Sequence, residues 1–340
     1  MPKASKSKKC VCPSVDEKAS HNALNSPMQR LVLGTSSLCV SRLAYGCWRL
    51  ANAKNASESK SEIRAAGKRA VIAAYEAGYT LFDHADIYGD GEAEKIFGEV
   101  LHENPEMRGR ISIITKCGVR RLDDPSGSPY HYNLSGEYII HSCEGSLKRL
   151  GIESIDVFLL HRADWLVDPA DVAAASIKLK QSGKVRFFGV SNFRPSLVSA
   201  LQAVCPMPLV ANQVEISLCK LDAFEDGTLD QCLEEKITPM AWSPLGGGQL
   251  AEGAKRLLKS QKGYRTEEVL PLLDEFAMQH GVTRSAIALA WLLKHPAGIV
   301  PIVGSTNPQR IRDAARATGI NLSREEWYRL LIAARGESLP

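Results

Sequence analysis

The chain is organised by an alternation. From residue 30 onward, short apolar runs with β character recur between longer amphipathic segments. The runs are 42-RLAYG-46, 80-TLFD-83, 111-ISIITK-116, 155-IDVFLL-160, 185-VRFFGV-190, 210-VANQVE-215, 238-TPMAW-242 and 299-IVPIVG-304. They are apolar at most positions rather than at every second one, as strands buried on both faces should be. Between them, 62-EIRAAGKRAVIAAYEAG-78 and 136-GEYIIHSCEGSLKRLG-151 place apolar residues near helical spacing and stop on glycine. A β-α-β-α order implies parallel strands joined by right-handed crossovers. Eight such units predict a (β/α)8 TIM barrel, a fold of about 250 residues. A doubly wound sheet would bring a glycine fingerprint after its first strand, and Gly46-Cys47-Trp48 has no such form. Ahead of the first barrel strand, 30-RLVLGTSSLCVS-41 reads as an N-terminal β-hairpin plugging the barrel floor.

Charge separates the tail from the body. The whole chain carries +4, and residues 1–30 hold six Lys or Arg against two Asp or Glu, which accounts for the entire surplus. The division expected is a disordered basic tail over 1–29 and the barrel over 30–340. A neutral body gives no basic face of the kind nucleic acid requires. The longest apolar runs, such as 286-AIALAWLL-293, fall short of the roughly 20 residues that span a bilayer. Nine scattered cysteines suggest reduced thiols and a cytoplasmic setting, unless the tail directs the chain to an organelle. Oligomeric state is not legible in these residues.

Barrels of this kind gather chemistry at the carboxyl ends of their strands. Polar residues interrupt the apolar runs at those ends. Asp83 closes the second run and Tyr88 follows in its loop; Lys116 closes the third and His161 follows the fourth. Ser191 and Asn192 follow the fifth, Gln213 lies late in the sixth, and Trp242 closes the seventh. Any one of these has an ordinary structural explanation as a cap or a packing group. Together, four ionisable groups on three neighbouring strands would face one volume. A phenol is a weak acid, with a pKa near 10. A neighbouring ammonium favours its phenolate, a carboxylate keeps the ammonium charged, and an imidazole can donate to a carbonyl oxygen. Such a set protonates an oxygen that develops negative charge. It needs a hydride source and no metal.

The ordered set FDHADIYGDGE, IITKCG, LLHRAD, GKVRFFGVSNF, NQVE, AWSPLGGG and IVPIVGSTNPQR resembles the aldo-keto reductase family over nearly all of residues 30–320. The HRxD segment after the fourth strand resembles the bacterial-type oxidoreductases of that family. The resemblance implies NAD(P)H-dependent reduction of an aldehyde or ketone to an alcohol, with Asp83, Tyr88, Lys116 and His161 as catalytic tetrad and Tyr88 as proton donor. It implies a cofactor held by Ser191, Asn192, Gln213, Trp242, Ser243, Leu245 and Gly246, with Ser305 and Arg310 at the 2′-phosphate of NADPH. Gly304 stands where many members place a lysine, which keeps NADH in view. Trp48, Tyr130, Tyr132 and Trp165 are the expected substrate-pocket residues; Arg120, Arg121 and Arg162 hint at an anionic substrate, although solvated surface arginines are the commoner reading of such residues. The alternative is a nicotinamide-binding regulatory or channel-associated barrel with little turnover. Gly246-Gly247-Gly248 lacks the Lys and Ser or Thr of a phosphate loop, and His84, His131 and His161 lack the close spacing of metal ligands.

Overall fold

Local chemistry sets the element boundaries. Ser59 accepts from the Glu62 amide while Glu62 accepts from the Ser59 amide, and this reciprocal cap starts helix α1 at Lys60. Helix α3 (Gly136–Leu150) begins behind Ser135 and ends on Gly151 in the left-handed conformation that a residue with a Cβ adopts reluctantly. In a computed structural model, residues 27–53, 57–254, 261 and 263–340 are described; the expectation of a disordered tail falls almost wholly outside them.

In chain order, β1 (Arg30–Val32) and β2 (Cys39–Ser41) precede β3 (Ala44–Gly46), α1 (Lys60–Glu76), β4 (Leu81–Asp83), α2 (Glu92–Glu103) and β5 (Ser112–Cys117). The short β6 (Val119–Arg120) and β7 (His131–Tyr132) lead into α3, then β8 (Ile155–Leu160), α4 (Pro169–Gln181), β9 (Val185–Ser191), α5 (Pro195–Val204) and β10 (Leu209–Glu215). The chain closes with α6 (Thr228–Glu235), β11 (Thr238–Trp242), α7 (Val269–His280), α8 (Arg284–Leu293), β12 (Val300–Val303), α9 (Pro308–Ala315) and α10 (Arg324–Arg335). Strands β3, β4, β5, β8, β9, β10, β11 and β12 form a closed parallel barrel, one strand from each of the eight runs read in the sequence. Between β5 and α3 lies one feature that the sequence pattern hid, the antiparallel pairing of β6 with β7.

The hairpin β1–β2 does close the lower end. Its Leu33, Leu38 and Val40 are buried with Leu81, Ile114, Val157, Val210, Met240 and Val300 from the barrel interior. Burying each such side chain stabilises the fold by about 1.5–3 kcal/mol. Gly34 N–H donates to Thr238 Oγ1 at 2.7 Å, and Ser41 N–H donates to Thr80 Oγ1 at 2.8 Å. Thr80 and Thr238 stand at strand starts, so these bonds seat the hairpin on the amino-terminal end. Gly34 has φ +53°, and a Cβ there would lie 2.4 Å from the Val210 carbonyl oxygen. Only glycine fits that approach. Cys47, Cys117, Cys143, Cys205, Cys219 and Cys232 carry free thiols. Cys39 on β2 is disulfide-bonded, contrary to the expectation of reduced thiols throughout.

Candidate active site

With the lower end sealed, the polar strand ends converge at the upper one. Lys116 is fully buried, and its three donors are all used. Nζ donates to Asp83 Oδ2 at 2.8 Å, to the His84 carbonyl at 2.7 Å and to Tyr88 Oη at 3.0 Å. The other Asp83 oxygen accepts from Gln213 Nε2 at 2.8 Å. The Tyr88 and His161 rings meet edge-on, with centroids 6.0 Å apart. The four ionisable residues expected to face one volume are thus gathered, and Gln213 joins them through Asp83.

Burial pulls the Lys116 pKa down, but the charges and hydrogen bonds of Asp83 and Tyr88 outweigh it and leave the value above that of an ordinary lysine. The ammonium is kept. Burial pushes the Tyr88 phenol up, and Lys116 only partly opposes that push. The expectation that Lys116 brings Tyr88 below the usual phenol value is therefore corrected, because desolvation outweighs the ammonium. Tyr88 keeps its proton at neutral pH. For His161, burial comes first and the positive charges of Lys116 and Arg162 add to it, driving its pKa well below the usual imidazole value. Its ring is neutral, and Nδ1 is buried with no hydrogen-bond partner among the described residues.

A second set lies beside the first. Asn192 adopts φ +60°, which turns its side chain back over the strand ends. Its Nδ2 donates to Ser191 Oγ at 2.8 Å and to the His161 carbonyl at 3.3 Å, while Oδ1 accepts from Trp242 Nε1 at 2.9 Å. Ser191 Oγ donates to the Gln213 carbonyl at 2.8 Å. Ser191, Asn192, Gln213 and Trp242 are accordingly one connected group. Ser243 (φ +49°) starts a tight turn in which its carbonyl accepts from Gly246 N–H at 2.8 Å and the Leu245 carbonyl accepts from Gly248 N–H at 2.9 Å. A side chain at Gly246 would be strained, since φ there is +57° and a Cβ would lie 3.0 Å from Cys219 Sγ. Past β12, Asn307 caps α9 by accepting from the Gln309 and Arg310 amides, which leaves an exposed Arg310 on its first turn, a few residues beyond Ser305.

A sequence profile of the Aldo/keto reductase family matches residues 42–334. The chain belongs to that family. It is 40% identical over 314 residues to a 6-dehydroglucose reductase of Novosphingobium aromaticivorans, a match covering 91% of this chain and 96% of the relative. It is 35% identical over 317 residues to oxidoreductase YdhF of Escherichia coli, covering 92% of this chain and all of the relative (100%). Among solved structures, the thermostable aldo-keto reductase Tm1743 in complex with the inhibitor epalrestat superposes with a TM-score of 0.74 at 27% identity, over 90% of this chain and 100% of that one. This aldo-keto reductase is therefore an oxidoreductase that reduces carbonyl compounds with a nicotinamide cofactor. The regulatory-barrel alternative is not favoured.

The residues present fit that cofactor. A nicotinamide carboxamide needs both donors and acceptors, which Ser191, Asn192 and Gln213 offer together. Trp242 offers an aromatic face beside them. The exposed Arg310 guanidinium at a helix amino terminus suits a phosphate. Among the described residues, no group of three or more His, Cys, Asp or Glu could hold a metal ion, and no helix is long and apolar enough to cross a membrane.

The expected substrate-pocket residues meet the structure unevenly. Tyr130 and Tyr132 pack edge-on at 6.0 Å, one of them on β7. Trp48 lies just past β3 with Arg49 over its ring, and Trp165 is 87% exposed. Neither tryptophan joins the tyrosine pair in a ring contact. Sequence reasoning missed the His84 carbonyl, because a main-chain acceptor leaves no residue signature. It also missed Asp86, half-buried on the loop before Tyr88, whose Oδ2 accepts from Ser142 Oγ at 2.7 Å.

Proposed function

We propose that this aldo-keto reductase uses Tyr88 as its proton donor and prefers NADPH. The observation that carries the first part is a connected buried series. Gln213 holds Asp83, Asp83 holds Lys116, and Lys116 reaches the Tyr88 hydroxyl, the one member of the series that is not fully buried. When bound, the nicotinamide would supply a hydride to the carbonyl carbon. Tyr88 Oη gives its proton to the carbonyl oxygen as negative charge grows there, and the phenolate left behind faces the Lys116 ammonium. Asp83 keeps that ammonium charged and in place. His161, whose burial beside Lys116 and Arg162 favours the neutral ring, donates from Nε2 to the same oxygen and orients it. A positioned general acid of this kind is worth about 10²–10⁴ in rate.

Ser191, Asn192 and Gln213 would hold the carboxamide, with Gln213 accepting at Oε1 because its Nε2 is committed to Asp83. Trp242 would stack on the ring, and Ser243, Leu245 and Gly246 would follow the pyrophosphate. Ser305 and Arg310 would read the 2′-phosphate, with Gly304 giving less help there than a lysine. Tyr130 and Tyr132 line the mouth on the substrate side, with Trp48 and Trp165 at its outer edge. Two relatives are named 6-dehydroglucose reductases, so a polyhydroxylated aldehyde is a sensible first neutral substrate.

Titration of the purified enzyme with both cofactors tests the cofactor reading. Arg310→Ala should weaken NADPH by about 10- to 100-fold, the worth of a charge-assisted contact, and NADH by far less. Equal losses for the two cofactors would remove Arg310 from phosphate recognition.

A further inference from the structure

Three arginines, Arg120, Arg121 and Arg162, belong to the loops around this site, and the structure separates them. Arg120 is paired with Asp124 at 2.6 Å and lies against Tyr138. Arg121 is paired with Asp90 at 2.7 Å and also donates to the Ile87 carbonyl. Both charges are neutralised in place. Arg162, next to His161 in the chain, has no acidic partner among the described residues. Its guanidinium sits over the Trp242 ring, 5.5 Å from the centroid.

The carboxylate closest to Arg162 in sequence is Asp164, and it is occupied elsewhere. Asp164 Oδ2 accepts from the Leu134 amide at 2.9 Å and Oδ1 accepts from the Leu166 amide at 2.9 Å. One function of the Asp in HRAD is thus to hold the Leu134 and Leu166 amides, so neither of its oxygens is spent on Arg162. Arg162 is close enough to act electrostatically on His161 and on Tyr130. Its place over the Trp242 ring and next to His161 in the chain sets it beside the proposed reaction centre. A half-buried guanidinium held there without a counter-ion loses hydration and gains no ion pair in return.

We propose that Arg162 is a specificity-determining residue that binds an anionic group of the substrate, so that the preferred substrates are aldehydes or ketones bearing a carboxylate or phosphate a few bonds from the carbonyl. This rests on the reductase reading of the same site. The carbonyl oxygen lies between Tyr88 and His161, and the anion reaches outward to the planar guanidinium fork, which suits carboxylate and phosphate oxygens in pairs. Arg162 would contribute to binding and to orientation, and would take no part in proton transfer.

Matched substrates provide the test. Steady-state rates with NADPH are compared for 4-carboxybenzaldehyde against its neutral methyl ester, and for glyceraldehyde 3-phosphate against glyceraldehyde, in the wild type, Arg162→Gln and Arg162→Lys. The wild type should favour the charged member of at least one pair, and which pair responds tells carboxylate from phosphate. Arg162→Gln should raise KM for that charged substrate by about 10- to 100-fold while moving the neutral one by no more than about threefold. Arg162→Lys should fall between them, having charge without the fork. Equal losses on charged and neutral substrates, or a wild type that favours the neutral members, would overturn the proposal. So would a loss confined to NADPH binding. Calorimetric binding of 4-carboxybenzyl alcohol to the NADP+-loaded protein separates this failure from that of the reductase reading. Arg162-dependent binding without any turnover would keep the anion site and discard Tyr88 chemistry, whereas turnover with Arg162-independent binding would do the reverse.

Discussion

Two buried carboxylates, on strands β4 and β8 to either side of β5, end in opposite circumstances. Asp156, second residue of β8, lies toward the lower end and is saturated. Its Oδ1 meets Arg186 at 2.6 Å, and its Oδ2 meets Arg108 at 3.0 Å and the Ile113 amide at 2.9 Å. Both arginines run out toward water, so the network stops at the surface. Asp83, last residue of β4, is as deeply buried, but its Lys116 partner has no exposure and passes the contact on to a phenol that is not fully enclosed. Burial and pairing alone therefore do not mark a reaction centre. What marks it is that the Asp83 network leads to a group that can surrender a proton toward the open end.

Substitutions at these two ends should have different consequences. The largest effect is expected at Lys116→Met, which strands Asp83 in the interior. It should lower kcat/KM by about 10³ or more and destabilise the fold by about 3–5 kcal/mol, the usual cost of an unpaired buried charge. Rate measurements and chemical denaturation read the two losses separately. Asp156→Asn should cost about 2–3 kcal/mol, since the freed arginines can turn to solvent, with kcat for the folded fraction unchanged. A comparable kcat loss at Asp156 would erase the distinction between the ends.

A smaller effect concerns Asp86, on the loop between Asp83 and Tyr88. Burial pushes its carboxyl up to about 7, against the help of the Ser142 hydroxyl. The folded state thus holds that proton to higher pH than the unfolded chain, whose value is near 4. The stability it contributes is complete below about pH 4 and is lost as pH rises through about 7. Asp86→Asn, which cannot ionise, should raise Tm by a few degrees at pH 8 and leave it nearly unchanged at pH 4. His84 works in the opposite direction. Burial and then Lys116 lower its pKa to about 3, so its contribution is present above about 6.5 and declines as pH falls toward 3. A Tm gain for Asp86→Asn that is the same at both pH values would show that the carboxyl does not titrate in that window.

The barrel was legible because parallel strands buried on both faces must be short and mostly apolar, and the eight runs are apolar at most positions. The polar strand ends were legible for the complementary reason, since Asp83, Lys116 and Gln213 interrupt apolar runs at a cost that structure alone rarely justifies. Side-chain commitments were not. Nothing in the sequence shows that Asp164 spends both oxygens on loop amides, that Asp124 and Asp90 neutralise Arg120 and Arg121, or that Arg162 is left over. The balance at Tyr88 was also hidden, because desolvation depends on packing around the phenol rather than on which residues are present. Likewise the β6–β7 pairing lies in strands of two residues, too short for any period to register.

Tyr88→Phe removes one oxygen and its proton from the end of the Asp83 network and leaves the rest in place. Single-turnover reduction of an aldehyde, measured beside NADPH affinity on the same preparation, tests the assignment most directly. Chemistry should slow by about 10²–10⁴ while NADPH affinity stays within about threefold of the wild type. A variant that turns over at a near-normal rate with its cofactor bound would contradict proton donation by Tyr88.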